Sequence, residues 1–171
     1  MSVAPLPCTY LSKRRWNKTS SEKKRILIVD DETSIRELFK LILEAQGYEV
    51  ETAETGLQAL RMFQERFYNL VTIDIRLPDM EGTKLLKELH RCSPKSMKIM
   101  VTGYPSLENA VNSLNIGADA YIIKPVEPDD LVNTVKVKLK EQEDIESLSQ
   151  EKIDNWISAR LQKLEEKYGI H

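Results

Sequence analysis

The stretch RILIVDDETSIRELFKLILEAQGYEVETA, Arg25 to Ala53, contains two short apolar runs separated by a helical pattern. The first run, Arg25 to Asp30, and the second, Tyr48 to Ala53, have the length and composition of β-strands. Between them, apolar residues recur at helical spacing, and the pattern stops at Gly47, a residue well suited to end a helix. These apolar residues are Ile35, Leu38, Phe39, Ile42 and Leu43. The stretch therefore predicts a strand, a helix and a second strand.

The same alternation continues as far as Lys124. Further strands are predicted at Leu70 to Asp74, Lys98 to Thr102 and Ala120 to Lys124, with helical patterns between them. Strands that alternate with helices form βαβ units, in which the strands of one sheet run parallel. The predicted fold class is therefore α/β, with a doubly wound, five-stranded parallel sheet and helices on both faces.

Composition sets limits on the kind of protein. The 171-residue chain has 30% charged residues and a formal net charge of -2, which indicates neither a nucleic-acid nor a membrane partner. We expect a flexible basic arm at residues 1–24, a folded domain at 25–144 and a helical extension at 145–171. No apolar run resembles a membrane span or a signal sequence, which predicts a cytoplasmic protein. Cys8 and Cys92 lack metal-type spacing, so we expect neither a zinc site nor a disulfide framework.

Polar residues follow four of the predicted strands: Asp30 and Asp31, then Asp74, Thr102 and Lys124. Parallel strands bring their carboxyl ends to one edge of the sheet, where ligands of open α/β sheets bind. Three carboxylates brought together repel unless a cation lies among them, and oxygen ligands with open positions suit Mg²⁺. Asp74 is then the candidate nucleophile toward a phosphoryl group, with Lys124 and Thr102 as partners for phosphate oxygens.

Each of these residues also has a purely structural interpretation. Asp31 or Thr33 can cap the next helix. Thr102 and Lys124 can be turn or bend residues, and Asp74 can begin a turn. The structural interpretation is disfavoured for the whole set, because it requires independent coincidences at one edge of one sheet.

Four segments, in this order, resemble the receiver domain of two-component response regulators. They are VDDE (Val29 to Glu32), DIRLPDMEG (Asp74 to Gly82), TGYPS (Thr102 to Ser106) and AYIIKPV (Ala120 to Val126). The resemblance covers about residues 25–140. It implies a flavodoxin-like sheet with strand order 2-1-3-4-5 and a response regulator of the stand-alone, chemotaxis-regulator-like kind.

The resemblance also implies roles for the acidic residues. Asp74 would accept a phosphoryl group from a histidine kinase. Asp31 and Asp74 would bind Mg²⁺ directly, Asp30 would act largely through water, and Arg76 would contribute its backbone carbonyl. Such a phosphoacceptor is a signalling protein rather than an enzyme, with at most self-phosphorylation and slow self-dephosphorylation.

The remaining motif residues would form the switch. Thr102 and Lys124 would contact the phosphoryl oxygens, and Gly103 would leave space for the phosphodonor. If Thr102 moves toward the phosphoryl group, Tyr121 can turn inward and repack the face formed by the fourth helix, fifth strand and fifth helix. That face would then bind a downstream protein or a second copy of the chain.

The end of the chain has more helical sequence than such a fold needs. After a helix that begins near Pro128, we expect a second helix to begin near Ser147 or Ser149. Its apolar stripe consists of Ile153, Trp156, Ile157, Leu161, Leu164 and Tyr168. The stripe either packs on the domain or mediates a homodimer or partner contact. The remaining length leaves no room for a DNA-binding or catalytic domain, so we expect a stand-alone receiver with a helical extension.

Three other functions stay open. A Mg²⁺-dependent phosphatase of the haloacid dehalogenase type also uses an aspartate nucleophile, but its second aspartate would stand where Arg76 stands. A degenerate receiver that only binds partners is disfavoured by the complete set of strand-end residues. DNA binding through the basic arm is a weaker hypothesis.

Overall fold

The computed structural model describes residues 23–168 and contains one five-stranded parallel sheet. Its strands are β1 (Arg25–Val29), β2 (Glu49–Ala53), β3 (Leu70–Ile73), β4 (Met97–Thr102) and β5 (Ala120–Ile123). Its helices are α1 (Thr33–Ala45), α2 (Gly56–Glu65), α3 (Gly82–Cys92), α4 (Leu107–Ile116) and α5 (Pro128–Tyr168). The strand order is β2-β1-β3-β4-β5, so the predicted fold class is confirmed. The predicted basic arm lies outside the described residues, apart from its last two.

Each face of the sheet has its own apolar core, because successive side chains of a strand point to opposite faces. Leu27 of β1 belongs to one core, together with Phe63 of α2 and Leu89 of α3. The next residue, Ile28, belongs to a second core that includes Phe39 of α1. Helices therefore cover both faces, and ligands reach the sheet from the edge where the strands end.

The helix ends explain how the chain turns at that edge. Thr55 caps α2 and Ser106 caps α4, each by accepting a hydrogen bond from a backbone N–H three residues later. The residue before α1 is Glu32, which makes no side-chain cap. Neither Asp31 nor Thr33 is therefore the N-cap of α1. The structural interpretation, in which one of them caps this helix, is wrong. At the opposite edge, before β5 begins, Gly117 ends α4 in the left-handed region, with φ of 116°.

The chain divides into two compact units, Met1–Leu139 and Lys140–His171. α5 runs from Pro128 to Tyr168 without a break, so the expected start of a second helix near Ser147 is wrong. The Ser147 hydroxyl donates to the Glu143 carbonyl at 2.8 Å, a bond typical of a helix interior. No helix among residues 23–168 has both the length and the apolar composition needed to cross a membrane.

Cys92, at the end of α3, is the one cysteine among residues 23–168. It is disulfide-bonded, although the cysteine spacing indicated no disulfide framework. The only other cysteine of the sequence, Cys8, lies outside the described residues.

A buried lysine lies at the opposite edge of the sheet, where the strands begin. Lys98 of β4 is 1% exposed, and its ammonium donates to the backbone carbonyls of Ser93 and Ser96. Asp119 accepts a hydrogen bond from the Lys98 backbone N–H at 2.7 Å. Burial lowers the pKa of Lys98 to about 8, although the charge of Asp119 acts in the opposite direction. The folded protein therefore holds this proton less tightly than the unfolded chain does.

The first prediction concerns this proton. The pKa of Lys98 is about 8 in the folded protein and about 10.5 in the unfolded chain, its ordinary value. The unfolded state therefore binds more protons than the folded state between about pH 8 and pH 10.5. We expect the free energy of unfolding to rise by roughly 1–2 kcal/mol between about pH 7.5 and 9.5, as urea unfolding at each pH would measure. Lys98→Met should flatten this rise. Lys136→Met, which removes an ammonium exposed on α5, is the control. An equal slope in wild type and Lys98→Met would contradict the prediction.

Candidate functional site

Three carboxylates meet at the carboxyl edge of the sheet. Asp30 and Asp31 follow β1, and Asp74 follows β3, which lies beside β1. Each offers one oxygen, and these oxygens lie within 4.8 Å of one another. Asp30 is 3% exposed and Asp74 is 7% exposed, whereas Asp31 is exposed. Two negative charges are thus held largely out of water, which is unfavourable without a compensating cation.

Lys124, directly after β5, supplies part of that compensation. Its ammonium lies 2.6 Å from Asp30 Oδ2, 3.5 Å from Asp74 Oδ2 and 3.9 Å from Glu32 Oε1. Burial opposes the charge on Lys124, but the hydrogen bond and charge of Asp30, with the charges of Asp74 and Glu32, hold the Lys124 pKa above its ordinary value. One ammonium therefore faces three acidic side chains, and the site retains excess negative charge.

Of the two buried acids, Asp74 lies farther from the Lys124 ammonium. Burial raises the pKa of Asp74, and the negative charge of Asp30 raises it further. The Lys124 ammonium and the Arg76 backbone N–H lower it. The net direction is upward. Within the described part of the chain, Asp74 Oδ1 is buried and has no partner in hydrogen-bond geometry. An oxygen of this kind, beside two other carboxylates, fits a hard divalent cation such as Mg²⁺.

Arg36, on the second turn of α1, holds the acidic pair in place. Its guanidinium donates to the backbone carbonyl of Asp30 at 2.7 Å and to that of Asp31 at 2.9 Å. It also donates to the Thr33 hydroxyl at 3.0 Å. Arg36 was not among the predicted site residues; the available signal was a lone cation one helical turn after two adjacent acids.

The loop from Asp74 to Gly82 turns tightly because Gly82 lacks a side chain. A Cβ on Gly82 would lie 2.0 Å from the Asp74 carbonyl oxygen. The Gly82 N–H donates to the Ile75 carbonyl at 2.7 Å, and Arg76 pairs with Glu81 in an isolated antiparallel bridge. Gly82 belongs to the motif Asp74 to Gly82, but its sequence position alone predicted no role for it. Its role is to let the chain after the strand fold back on Asp74.

The two remaining strand-end positions lie on β4 and β5. Thr102 is fully buried at the end of β4; its hydroxyl accepts from the Tyr104 N–H at 3.1 Å, and its carbonyl accepts from the Lys124 N–H at 2.8 Å. Tyr121 packs against the core that contains α2 and α3. Its hydroxyl is buried and meets no partner within residues 23–168 in strict hydrogen-bond geometry. Burial raises the pKa of Tyr121, and the nearby Ser106 backbone acts against this. The Tyr121 side chain thus lies inward while the Thr102 hydroxyl is engaged by its own loop.

The Arg76 side chain makes a contact that spacing did not predict. Its guanidinium carbon lies 3.4 Å from the centre of the Tyr104 ring, in cation–π geometry. Sequence analysis assigned Arg76 only its backbone carbonyl. The contact joins the loop after β3 to the loop after β4, both of which border the acidic pocket.

Comparison with known proteins identifies the family. The model of the response regulator receiver domain matches residues 26–136, more than half of the chain. This chain therefore belongs to the receiver-domain family of two-component response regulators, as the motifs had indicated. The alternative of a haloacid dehalogenase-type phosphatase is not favoured.

Individual relatives agree with this assignment. The chain is 58% identical to the CheY-like response regulator receiver domain protein of Methanospirillum hungatei JF-1, covering 72% of this chain and 98% of that one, with a TM-score of 0.71. It is 40% identical over 107 residues to the regulatory protein AtoC of Escherichia coli K12, which covers 63% of this chain and 23% of AtoC. The probable transcriptional regulator ycf27 of Cyanophora paradoxa is 38% identical over 121 residues, covering 71% of this chain and 50% of that protein. The chain thus spans about a quarter to a half of the length of these curated relatives.

The second prediction tests the tight approach at Gly82. Gly82→Ala places a methyl group 2.0 Å from the Asp74 carbonyl oxygen, so the backbone must shift. We expect the free energy of unfolding to fall by about 1–3 kcal/mol, measured by urea unfolding. Gly103→Ala is the matched control, because its nearest neighbours, Lys124 Cβ and Cδ, would lie 4.0 Å from the new Cβ, an ordinary contact. Equal stability of the two variants would show that the loop adapts without cost.

Proposed function

We propose that this receiver accepts a phosphoryl group from a histidine kinase on the carboxylate of Asp74. The observation that carries the proposal is the state of that carboxylate. It is buried, its pKa is raised, one oxygen lies 3.5 Å from the Lys124 ammonium, and the other has no hydrogen-bond partner among the described residues. Such a group is held as a reactive oxygen rather than as part of a saturated ion pair.

Mg²⁺ is the cofactor that the donor set favours. Asp31 and Asp74 would bind it directly, Asp30 largely through water, and Arg76 through its backbone carbonyl. Support comes from the three carboxylate oxygens within 4.8 Å of one another, since oxygen donors with excess negative charge suit this ion. When bound, the ion neutralises charge on the transferred phosphoryl group.

The transfer step assigns a task to each remaining residue. An Asp74 oxygen forms a bond to phosphorus while the P–N bond of the phosphohistidine breaks and the imidazole leaves with the electron pair. The Lys124 ammonium, already 3.5 Å from Asp74 Oδ2, donates to a phosphoryl oxygen. The Thr102 hydroxyl donates to another oxygen once it leaves the Tyr104 N–H. In-line geometry and charge compensation, rather than further covalent chemistry, govern this kind of reaction.

The response is a change of surface. A phosphoryl group adds roughly -1.5 to -2 charge at the sheet edge and favours the arrangement in which Thr102 faces it. Tyr121, whose ring lies inward, fills the space on the same side. We propose that the chain is a phosphoacceptor rather than a dedicated enzyme, acting in the cytoplasm through a protein partner. A formal net charge of -2 supports a protein partner over nucleic acid.

We propose that the chain has three parts: an arm at residues 1–24, a receiver at 25–144 and an extension at 145–171. Within the second compact unit, apolar side chains along α5 are exposed, including Ile153 at 51%, Trp156 at 64% and Leu161 at 55%. Exposed apolar stripes of this kind mark interaction surfaces. A homodimer formed through this helix and the α4–β5–α5 face would cover them.

The third prediction tests the acceptor. Incubation with Mg²⁺ and a small phosphodonor such as acetyl phosphate should add one phosphoryl group, which intact-mass spectrometry detects. Asp74→Ala should remove the label because the attacking oxygen is gone. Asp129→Ala, an exposed aspartate in the first turn of α5, is the control and should label as wild type does. Undiminished labelling of Asp74→Ala would exclude the assignment, and sustained turnover of phosphate esters would indicate a phosphatase.

The fourth prediction tests the homodimer. Trp156→Glu/Leu161→Glu places two charges on the exposed stripe. We expect light scattering to give the mass of a dimer for wild type and the mass of a monomer for this variant. Burial of each large apolar side chain contributes on the order of 1.5–3 kcal/mol before ordering costs, so replacing two of them with charged residues should weaken the dimer strongly. Asn155→Glu/Ser158→Glu adds the same charge at exposed polar positions of α5 and is the control. Each is measured with and without beryllium fluoride as a phosphoryl mimic. A wild-type monomer under both conditions would refute the homodimer.

A further inference from the structure

The loop that carries the acceptor is attached to a helix that takes no other part in the site. Asp79, in the loop between β3 and α3, accepts from the Gly56 N–H at 2.9 Å through Oδ1 and from the Leu57 N–H at 2.8 Å through Oδ2. These two N–H groups begin α2 and have no acceptor within the helix. Asp79 therefore caps, with both oxygens, a helix that starts 23 residues earlier in the chain.

The contact is close as well as polar. A Cβ on Gly56 would lie 2.5 Å from the Met80 sulfur, so the loop side chain occupies the space that glycine leaves at the start of α2. Met80 in turn packs against the core that contains α2 and α3. Two consecutive loop residues are thus fixed to α2, one by charge-assisted hydrogen bonds and one by packing.

This attachment bears directly on the proposed metal ligands. The loop is fixed at one end by the approach of Gly82 to the Asp74 carbonyl and at its middle by Asp79. Arg76, whose carbonyl is a proposed ligand, lies between Asp74 and Asp79. The position of that carbonyl therefore depends on where α2 holds Asp79, because a short loop fixed at two points has few conformations left.

We propose that Asp79 is a positioning residue for the acidic pocket, which acts by holding the β3–α3 loop against the amino end of α2. The inference rests on the proposed Mg²⁺ site and deepens it. It differs from a purely stabilising cap, which would strengthen the fold but leave the affinity of the folded protein for Mg²⁺ unchanged. It also differs from a simple charge effect, since Asp79 would act through its two hydrogen bonds rather than through its negative charge.

Three variants separate these possibilities. Asp79→Ala removes both hydrogen bonds and the charge. Asp79→Asn removes the charge but keeps an acceptor oxygen for one N–H of α2. Thr55→Ala is the matched control, because Thr55 caps the same helix by accepting from the Gln58 N–H at 3.1 Å and belongs to another loop. Circular dichroism and urea unfolding establish that each variant is folded.

The readout is the dissociation constant for Mg²⁺, measured by calorimetry on the unphosphorylated full chain, together with the Mg²⁺ concentration that gives half-maximal labelling. We expect Asp79→Ala to weaken Mg²⁺ binding by about tenfold, in the range seen for residues that orient metal ligands. Asp79→Asn should recover most of the affinity. Thr55→Ala should lower stability while its Mg²⁺ dissociation constant stays at the wild-type value.

Several results would overturn the proposal. An unchanged dissociation constant in folded Asp79→Ala would leave Asp79 as a stabilising cap only. Equal losses in Asp79→Ala and Asp79→Asn would indicate a charge effect, and an equal loss in Thr55→Ala would indicate a general effect of helix destabilisation. Failure of the proposed function has a different signature, since wild type itself would then neither bind Mg²⁺ nor accept label on Asp74.

Discussion

The arrangement at the carboxyl edge depends on one constraint, which is that two buried carboxylates share a single ammonium. Asp30 takes the shorter contact with Lys124, 2.6 Å against 3.5 Å for Asp74. Burial raises the pKa of Asp74, and the more distant ammonium of Lys124 offsets this only in part. One Asp74 oxygen has no hydrogen-bond partner among the described residues, while Asp30 forms a tight ion pair. A fully paired Asp74 would be more stable and less reactive. The asymmetry therefore supports the proposal that Asp74, rather than Asp30, is the phosphoryl acceptor.

Holding like charges together requires a rigid frame, and each acidic loop is fastened by a residue outside the pocket. Arg36 fixes the loop after β1 through its backbone carbonyls, so it orients the acids without neutralising their carboxylates. Asp79 and Gly82 fix the loop after β3. Mutual repulsion would otherwise spread these loops apart, since exposed loop backbone is the most easily deformed part of such a fold.

The strands and the acids at their ends could be predicted from sequence, because both depend on local patterns. Apolar runs such as that ending at Asp74 indicate a strand, and parallel topology then brings the strand ends together. The contacts of Asp79 with α2 and of Arg76 with Tyr104 could not be predicted, since they depend on loop conformation and join residues far apart in sequence. The predicted helix start near Ser147 was wrong because serine, a common capping residue, is also tolerated inside helices. α5 continues past Ser147 without a break.

The conformations of Thr102 and Tyr121 bear on how a signal would leave this edge. Tyr121 already lies inward, with its hydroxyl buried, although the Thr102 hydroxyl is bound to the Tyr104 N–H. The inward position therefore does not require Thr102 to have moved, and the two parts of the proposed switch are separable. In the proposed switch, phosphorylation would favour one of two accessible arrangements, because capture of the Thr102 hydroxyl would remove a contact that holds the loop after β4. The Arg76–Tyr104 contact joins this loop to the loop after β3, so one phosphoryl group on the proposed acceptor would bias both loops together.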